Sequence, residues 1–349
     1  MPIFEYPIAK SFDNIALRKD GKVMAFYRVP SVPITITDDG KKKKHKERLQ
    51  QLIKKLAKNK NFELALIPKD YLLEEKMRDF RSALAKDSLE IGEKCLSFTT
   101  ETLTKEFEIP YEYDWVIAVV IDKNTANEGL HSLVLERLNE ASLRVAKGLG
   151  WQVELPEDWY ASYLDDEATV YQNLRPLKAK RLTDENMFYY QRMQYLRYIP
   201  HLKEEVLANR SVMNVTDTLI RPLQGGFLKL ESPYGSSFVS ILPIGKTPAV
   251  INGFHLGEII QRFNFPVELR LKLEYVDKNS IKGTMARSNV RYLNIMTEAH
   301  NTGTAQMDEI IEGNRSLKHL MKKVGANEKL LEFGAYIIVS GSSLSQLRQ

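Results

Sequence analysis

The stretch YDWVIAVVID, residues 113–122, is the clearest β-strand in the chain, and the fold is read outward from it. Its unbroken apolar run from Val116 to Ile121 is rich in β-branched residues, which suit a pleated, packed surface. On its C-terminal side, residues 126–148 carry a helical pattern that ends at Gly148 and Gly150, the residue type that closes helices. On its N-terminal side, Pro110 closes a helical region made of residues 71–85 and 88–106. Ser88 is placed as an N-cap of the second segment, with Glu90 and Glu93 nearby. Before these helices, FELALIP (62–68) reads as a short buried strand. KVMAFYRVPSVPITIT (22–37) reads as a strand that Pro30 and Pro33 interrupt, which points to an edge or a bulge. Strand, helix, strand, then strand, helix predicts a ferredoxin-like α/β sandwich subdomain over residues 1–150.

Composition shifts at Trp151. WQVELPEDWYASYLDDEATVYQNL is acidic and aromatic, and residues 151–200 are expected to form an ordered connector that packs onto a domain, closing with a helix over 184–197. Residues 201–349 are then expected to form a second mixed α+β subdomain. Gly225 and Gly226 precede FLKLES, and Ser232-Pro233-Tyr234-Gly235 forms a turn before SSFVSILPI, which together predict a β-hairpin. In FPVELRLKLEYV (265–276), Val267, Leu269, Leu271, Leu273 and Tyr275 alternate with charged residues, the mark of a strand with one solvated face. A long polar helical region covers 282–323, and LLEFGAYIIVS (330–340) is a last strand. Ser342 and Ser343 then read as the N-cap of a helix whose first turn, LSQLRQ, ends the sequence before an apolar face is buried. An isolated turn is not stable. Either this end frays, or the chain is expected to be the N-terminal piece of a longer protein.

The chain has 349 residues, enough for two domains or three, and 43% are apolar, so wholesale disorder is excluded. One cysteine, Cys95, excludes an internal disulfide framework and a cysteine-based zinc cluster. It reads as a packed apolar thiol. The longest apolar run is far shorter than the roughly 20 residues that cross a bilayer. MPIFEYPIAK lacks the charged-then-apolar order of a secretory signal. These features predict a soluble, intracellular-type chain.

The formal net charge of +5 is small against 50 basic and 45 acidic side chains, so its distribution carries the information. The surplus sits in DDGKKKKHKERLQQLIKKLAKNK, residues 38–60. Asp38-Asp39-Gly40 gives a turn signal, and Leu49, Leu52, Ile53 and Leu56 then recur at amphipathic helical spacing. Lys41, Lys42, Lys43 and Lys44 in the first turn oppose the helix dipole, which favours anions there. With Lys46, Arg48, Lys54 and Lys55 they form a candidate patch for an anionic surface. A solvated helix face explains the same residues. So do anionic lipid headgroups, at about 1 kcal/mol per lysine near such a surface, and nucleic-acid phosphates. Few aromatic residues interleave with the lysines, so a stacking platform for single strands is not indicated.

No motif supplies a catalytic constellation. SILPIGKT (240–247) matches the end of a phosphate loop through Gly245, Lys246 and Thr247. The required first glycine is Ser240, however, and Pro243 removes an N–H donor, so a strand end and a turn is the better reading. The histidines His45, His131, His201, His255, His300 and His319 show no helical metal spacing. Ser236 and Ser237 lack the glycine pattern of a nucleophile elbow. Asp165, Asp166 and Glu167 could attract a cation, but adjacent carboxylates point in different directions, which favours solvation. No catalytic, cofactor-binding or metal-binding residue is assigned.

Eight segments nevertheless read closely alike to one family: NIALRKDGKVMAFYRVP, KNKNFELALIPKDYLLEEKM, ELPEDWY, YYQRMQYLRYIPH, NVTDTLI, GGFLKLESPYGSSFVSILPIGK, NGFHLGEIIQRFNFPVEL and GTMARSNVRY. In order, and over essentially the whole chain, they resemble the N-terminal region of the large conjugation ATPase of type IV secretion systems, in the branch carried by Gram-positive conjugative transposons. The resemblance implies that the ATP- and magnesium-binding residues lie in a RecA-like motor domain beyond this region. No position here matches them. It implies a docking and assembly role instead: contacts with small membrane proteins and other components of the conjugation channel, self-association of the full-length protein, and a cytoplasmic position peripheral to the inner face of the cell membrane. The alternative is a stand-alone protein that binds nucleic acid or an anionic membrane through residues 41–60.

Overall fold

A computed structural model describes residues 7–30, 38–59, 61–70, 73–106, 111–122, 157–201, 203–208, 210, 215, 217–245, 263, 265–276, 278–302, 307–325 and 330–348. Among these the fold is mixed α+β, and eleven strands form one antiparallel sheet. The chain enters as a meander of β1 (Ile8–Phe12), β2 (Ile15–Arg18) and β3 (Val23–Val29). Helix α1 (Asp39–Lys55) leads to β4 (Asn61–Asp70), and a helical hairpin of α2 (Leu73–Ser82) and α3 (Leu89–Glu106) leads to β5 (Tyr111–Ile121). Strand β5 is the stretch quoted first, and it lies between β3 and β4, pairing Val119 with both Ala25 and Phe62. Because β5 is antiparallel to both neighbours, β3 and β4 run parallel with β5 between them.

Next come α4 (Leu164–Leu174), the two-residue strand β6 (Lys180–Arg181) beside β3, α5 (Asp184–Met193) and α6 (Lys203–Ala208). The remaining strands are β7 (Leu219–Pro222), β8 (Phe227–Ser232), β9 (Gly235–Ile244), β10 (Val267–Val276) and β11 (Leu330–Gly341). Helices α7 (Lys278–Thr302) and α8 (Met307–Gly325) form a second helical hairpin, between β10 and β11, and α9 (Leu344–Arg348) follows. Strand β10 pairs with β4, Leu269 opposite Leu66, and so links strands from the two ends of the chain. Outward from that central pair the order is β4, β5, β3, β2, β1 on one side and β10, β11, β9, β8, β7 on the other. The two sides repeat one plan: a three-stranded meander, a connection, a strand, a helical hairpin, and a strand inserted behind it. Since β4 and β10 are antiparallel, the hairpins leave opposite ends of the sheet.

Period-two alternation in the central strands feeds two layers. Phe62, Ile117 and Val119 face α1 and α4, where Leu52, Leu56, Val170 and Leu174 complete a core. Ala65, Ile67 and Val116 face the opposite layer, where Met187 and Tyr190 of α5 cover them. Burying Phe62 alone contributes roughly 2–3 kcal/mol. Trp159, Tyr163 and Tyr171 of the connector pack against the first core.

The predicted hairpin is present, with Ser232 opposite Gly235 across a two-residue turn. Gly225 and Gly226, both at positive φ, form the tight link between β7 and β8 that bulkier residues would strain. The last strand, β11, spans the predicted segment, and Ser343 caps α9 by accepting from the Gln346 N–H at 3.2 Å. The helical region expected over 282–323 holds the two helices α7 and α8. Three details differ from expectation. The helix predicted over 184–197 ends at Met193, and Tyr198 then takes a left-handed backbone. Ser88 lies in a 3-10 turn (Lys86–Ser88) ahead of α3 rather than capping it. On β10, Glu268 is buried and Arg270 half-buried, so only Lys272 and Glu274 form the solvated row. Arg197, just past α5, covers Glu268 and gives it a partner. The helix predicted over 126–148, and Pro33, lie outside the described residues. No helix among the described residues is long and apolar enough to cross a membrane.

Candidate functional site

The basic segment folds as one helix, and Asp38-Asp39-Gly40 begins it rather than forming a separate turn. Asp38 is the N-cap: its carboxylate accepts from the Lys41 N–H at 2.9 Å and pairs with the Lys41 ammonium at 2.9 Å. That backbone hydrogen bond, with the lysine beside it, holds the Asp38 carboxyl below its ordinary value. Asp39 adds a second carboxylate to the first turn. Two anions therefore precede the lysine run and offset the dipole conflict that the sequence implied.

On the inner face of α1, Leu52 and Leu56 are buried and Ile53 is half-buried against the core. The Tyr275 hydroxyl donates to the Ile53 carbonyl at the C-terminal end, and burial pushes that phenol up to about 12. Lys41, Lys43, Lys44, Lys46, Arg48, Lys54 and Lys55 are exposed, and Lys42 is half-buried. The helix thus holds all eight predicted patch residues within about 21 Å of one rigid element. Beyond Asp38 and Asp39, Glu47 is the only carboxylate within it. Such a row acts by summed charge on a planar or extended polyanion.

The acidic run does something else than predicted. Asp166 and Glu167 are buried, not solvated, and they tie α4 to the sheet and to the 3-10 turn Leu56–Asn59 that follows α1. Asp166 accepts from Asn59 at 2.8 Å, from the Asp122 N–H at 3.0 Å and from Lys58 at 3.3 Å. Glu167 accepts two hydrogen bonds from the Arg181 fork, at 2.8 and 2.7 Å, and one each from Asn14 and Tyr27 at 3.0 Å. Burial pushes the Glu167 carboxyl up, but Arg181, Asn14 and Tyr27 outweigh it and hold the group below its ordinary value. Arg181 also lies over the Tyr171 ring, 4.0 Å from its centre.

Two further buried carboxylates sit on the opposite layer. Asp114 is paired with Arg28 at 2.7 Å and Lys69 at 3.2 Å and accepts from the Tyr190 hydroxyl. Glu268 is held by Arg197 and Arg270, which outweigh the effect of burial and keep its carboxyl low. Near it is a cavity of about 230 Å³, with Lys69, Tyr111, Tyr189, Tyr198, His201 and Glu268 in its wall. Its charged groups are satisfied within the protein: Lys69 by Glu112 and Asp114, His201 by the Ile199 carbonyl, Glu268 by the two arginines.

Other predicted positions are dispersed. Ser240 to Ile244 continue β9, with Pro243 opposite Tyr336, so this part of SILPIGKT is strand; Lys246 and Thr247 lie outside the described residues. Ser236 and Ser237 are also in β9. Cys95 is exposed on α3 rather than packed. Among the described residues no group of three metal-ligating side chains converges. Asp166 and Glu167 escaped sequence reading because their partners lie 14 to 153 residues away in the chain, as Arg181 and Asn14 do from Glu167.

No protein-family model matches the chain. A protein of Bacillus subtilis (strain 168), named uncharacterized protein YddE, is 22% identical over 340 residues, which cover 97% of this chain and 41% of that protein. The chain thus spans about two fifths of the length of this relative.

Proposed function

We propose that this chain is a docking and assembly region of a conjugative DNA-transfer ATPase of type IV secretion, not itself catalytic. One observation carries the reading: the family-like segments occur in order from residue 14 to residue 292, and the relative that shares this span is more than twice as long. ATP and magnesium then belong to a motor domain beyond this region. Small membrane proteins of the channel and other copies of the chain are the partners. Placement at the inner face of the cell membrane is peripheral, with the outer face of α1 against anionic lipid. The split arrangement of β3, α1, β4 and β5 supports a ferredoxin-like reading of the subdomain proposed for residues 1–150, with a connector over 151–200 and a second subdomain over 201–349.

The test is nucleotide hydrolysis by the purified chain. Background hydrolysis is expected, unchanged in Lys246→Ala. Hydrolysis well above background that Lys246→Ala abolishes would overturn the reading. The second reading, nucleic-acid binding through α1, is favoured by the exposed lysine row alone. It requires an affinity for DNA that falls steeply with salt.

A further inference from the structure

The repeat about the β4–β10 pair leaves two helical hairpins with no extensive contact to the rest of the sheet. Each carries an apolar stripe turned away from its own partner helix. On α3, Ile91, Cys95, Phe98 and Thr102 recur at i, i+4, i+7 and i+11. All four are exposed, Ile91 and Phe98 at 71%. The opposite face of α3 meets the α2 side, with the Leu84 side chain against Gly92. On α7, Ala286, Val290, Leu293 and Thr297 have the same spacing and are also exposed, Val290 at 56% and Leu293 at 45%. Its other face, with Met285 buried and Tyr292 against Gly313, packs on α8. Helices of a stable hairpin gain nothing from large apolar side chains on the outside, so two exposed stripes of the same spacing, on the second helix of one hairpin and the first helix of the other, point to a contact.

Charge selects the partner. Residues 73–106 hold eight carboxylates against six basic side chains. Helices α7 and α8 hold eight basic side chains against four carboxylates. Like hairpins repel and unlike hairpins attract. The two hairpins of one chain leave opposite ends of a sheet whose central strands are ten residues long, about 33 Å, so they do not meet within one molecule.

We propose that the α3 stripe of one copy docks against the α7 stripe of a second copy, a head-to-tail contact that repeats from chain to chain. Such a heterologous contact closes into a ring or propagates, whereas a symmetric contact stops at a dimer. The proposal rests on the assembly role proposed above, but its test reads contact between copies, not hydrolysis, lipid or channel partners, so either can fail alone. Two four-residue stripes bury less than the roughly 800 Å² per partner of a standard interface, so the contact is to be trapped covalently.

Cys95, the only cysteine in the chain, makes the trap simple. The natural chain is mixed with a size-tagged Cys95→Ser/Leu293→Cys chain under mild oxidation, and in parallel with Cys95→Ser/Val290→Cys. A disulfide needs the two Cα atoms within about 7 Å. The expected result is a mixed dimer at least fivefold above that formed with Cys95→Ser/Lys43→Cys, whose thiol lies on α1. It should fall with salt and with Phe98→Asp in the natural chain. Mixed dimer no stronger than the Lys43→Cys control with both cysteine positions would overturn the proposal. So would natural chain that crosslinks to itself as strongly, since that places a symmetric α3 contact there.

Discussion

Glu167→Gln tests whether α4 is an anchor for the sheet. Glu167 is 3% exposed, and its two oxygens accept four hydrogen bonds. Glutamine keeps the shape but replaces one acceptor with an amide N–H₂, which then faces the Arg181 guanidinium donor to donor. Breaking a buried ion pair costs about 3–5 kcal/mol when the surviving charge is sealed from water. The Arg181 side chain is 45% exposed, so water recovers part of its solvation. A loss of about 2–3 kcal/mol follows, in line with charged hydrogen bonds worth about 1.5–3 kcal/mol each. Urea unfolding at pH 7, read by tryptophan fluorescence near Trp159, measures it. The pH dependence gives an independent sign. The folded carboxyl is held below its ordinary value, so its stabilisation is complete above the unfolded value of about 4.3 and disappears as pH falls through the folded one. The gap between natural chain and variant should therefore narrow below about pH 4. A loss under about 0.5 kcal/mol at pH 7, or a gap that persists undiminished at pH 3, would refute the anchor.

Two other substitutions probe the layers on either side of the sheet. Leu174→Ala removes a fully buried side chain between α4 and β5 and should cost about 2–5 kcal/mol in the same unfolding assay, with α1 amides exchanging faster because Leu52 and Leu56 share that core. Asp114→Asn leaves Arg28 and Lys69 without their shared carboxylate and should destabilise by about 1–3 kcal/mol; hydrogen exchange should rise first across β4 and α5, which that side chain joins.

What was legible in the sequence is what short-range pattern dictates. The apolar run of β5, the Pro233-Tyr234 hairpin, and the i, i+3, i+4, i+7 apolar residues of the basic helix each declare their element from neighbouring residues, and the structure has them. The connector's aromatic residues correctly signalled packing. The pairing of Leu66 with Leu269 was not legible, because nothing local says which strands meet across 200 residues. The same limit hid Asp166 and Glu167: an acidic run reads as solvated until Asn14, Asn59 and Arg181 are brought against it. Cys95 was misread for a related reason. Its helix has an apolar stripe, and sequence alone does not tell a stripe facing the core from one facing out. The candidate patch itself was fully visible, since eight cations within 15 residues need no tertiary information, although the capping role of Asp38 was taken for a turn.

Vesicle flotation tests the docking account most directly. The chain is floated with vesicles of anionic phospholipid and with vesicles of neutral phosphatidylcholine, alongside a variant with Lys43, Lys44, Lys46 and Arg48 each changed to Glu. At about 1 kcal/mol per cation near an anionic surface, even neutralising four would cost up to about 4 kcal/mol, roughly a thousandfold in affinity. The account predicts recovery with anionic vesicles only, lost in the variant and at high salt. Equal recovery of the natural chain with both lipids, or undiminished flotation of the variant, would contradict it.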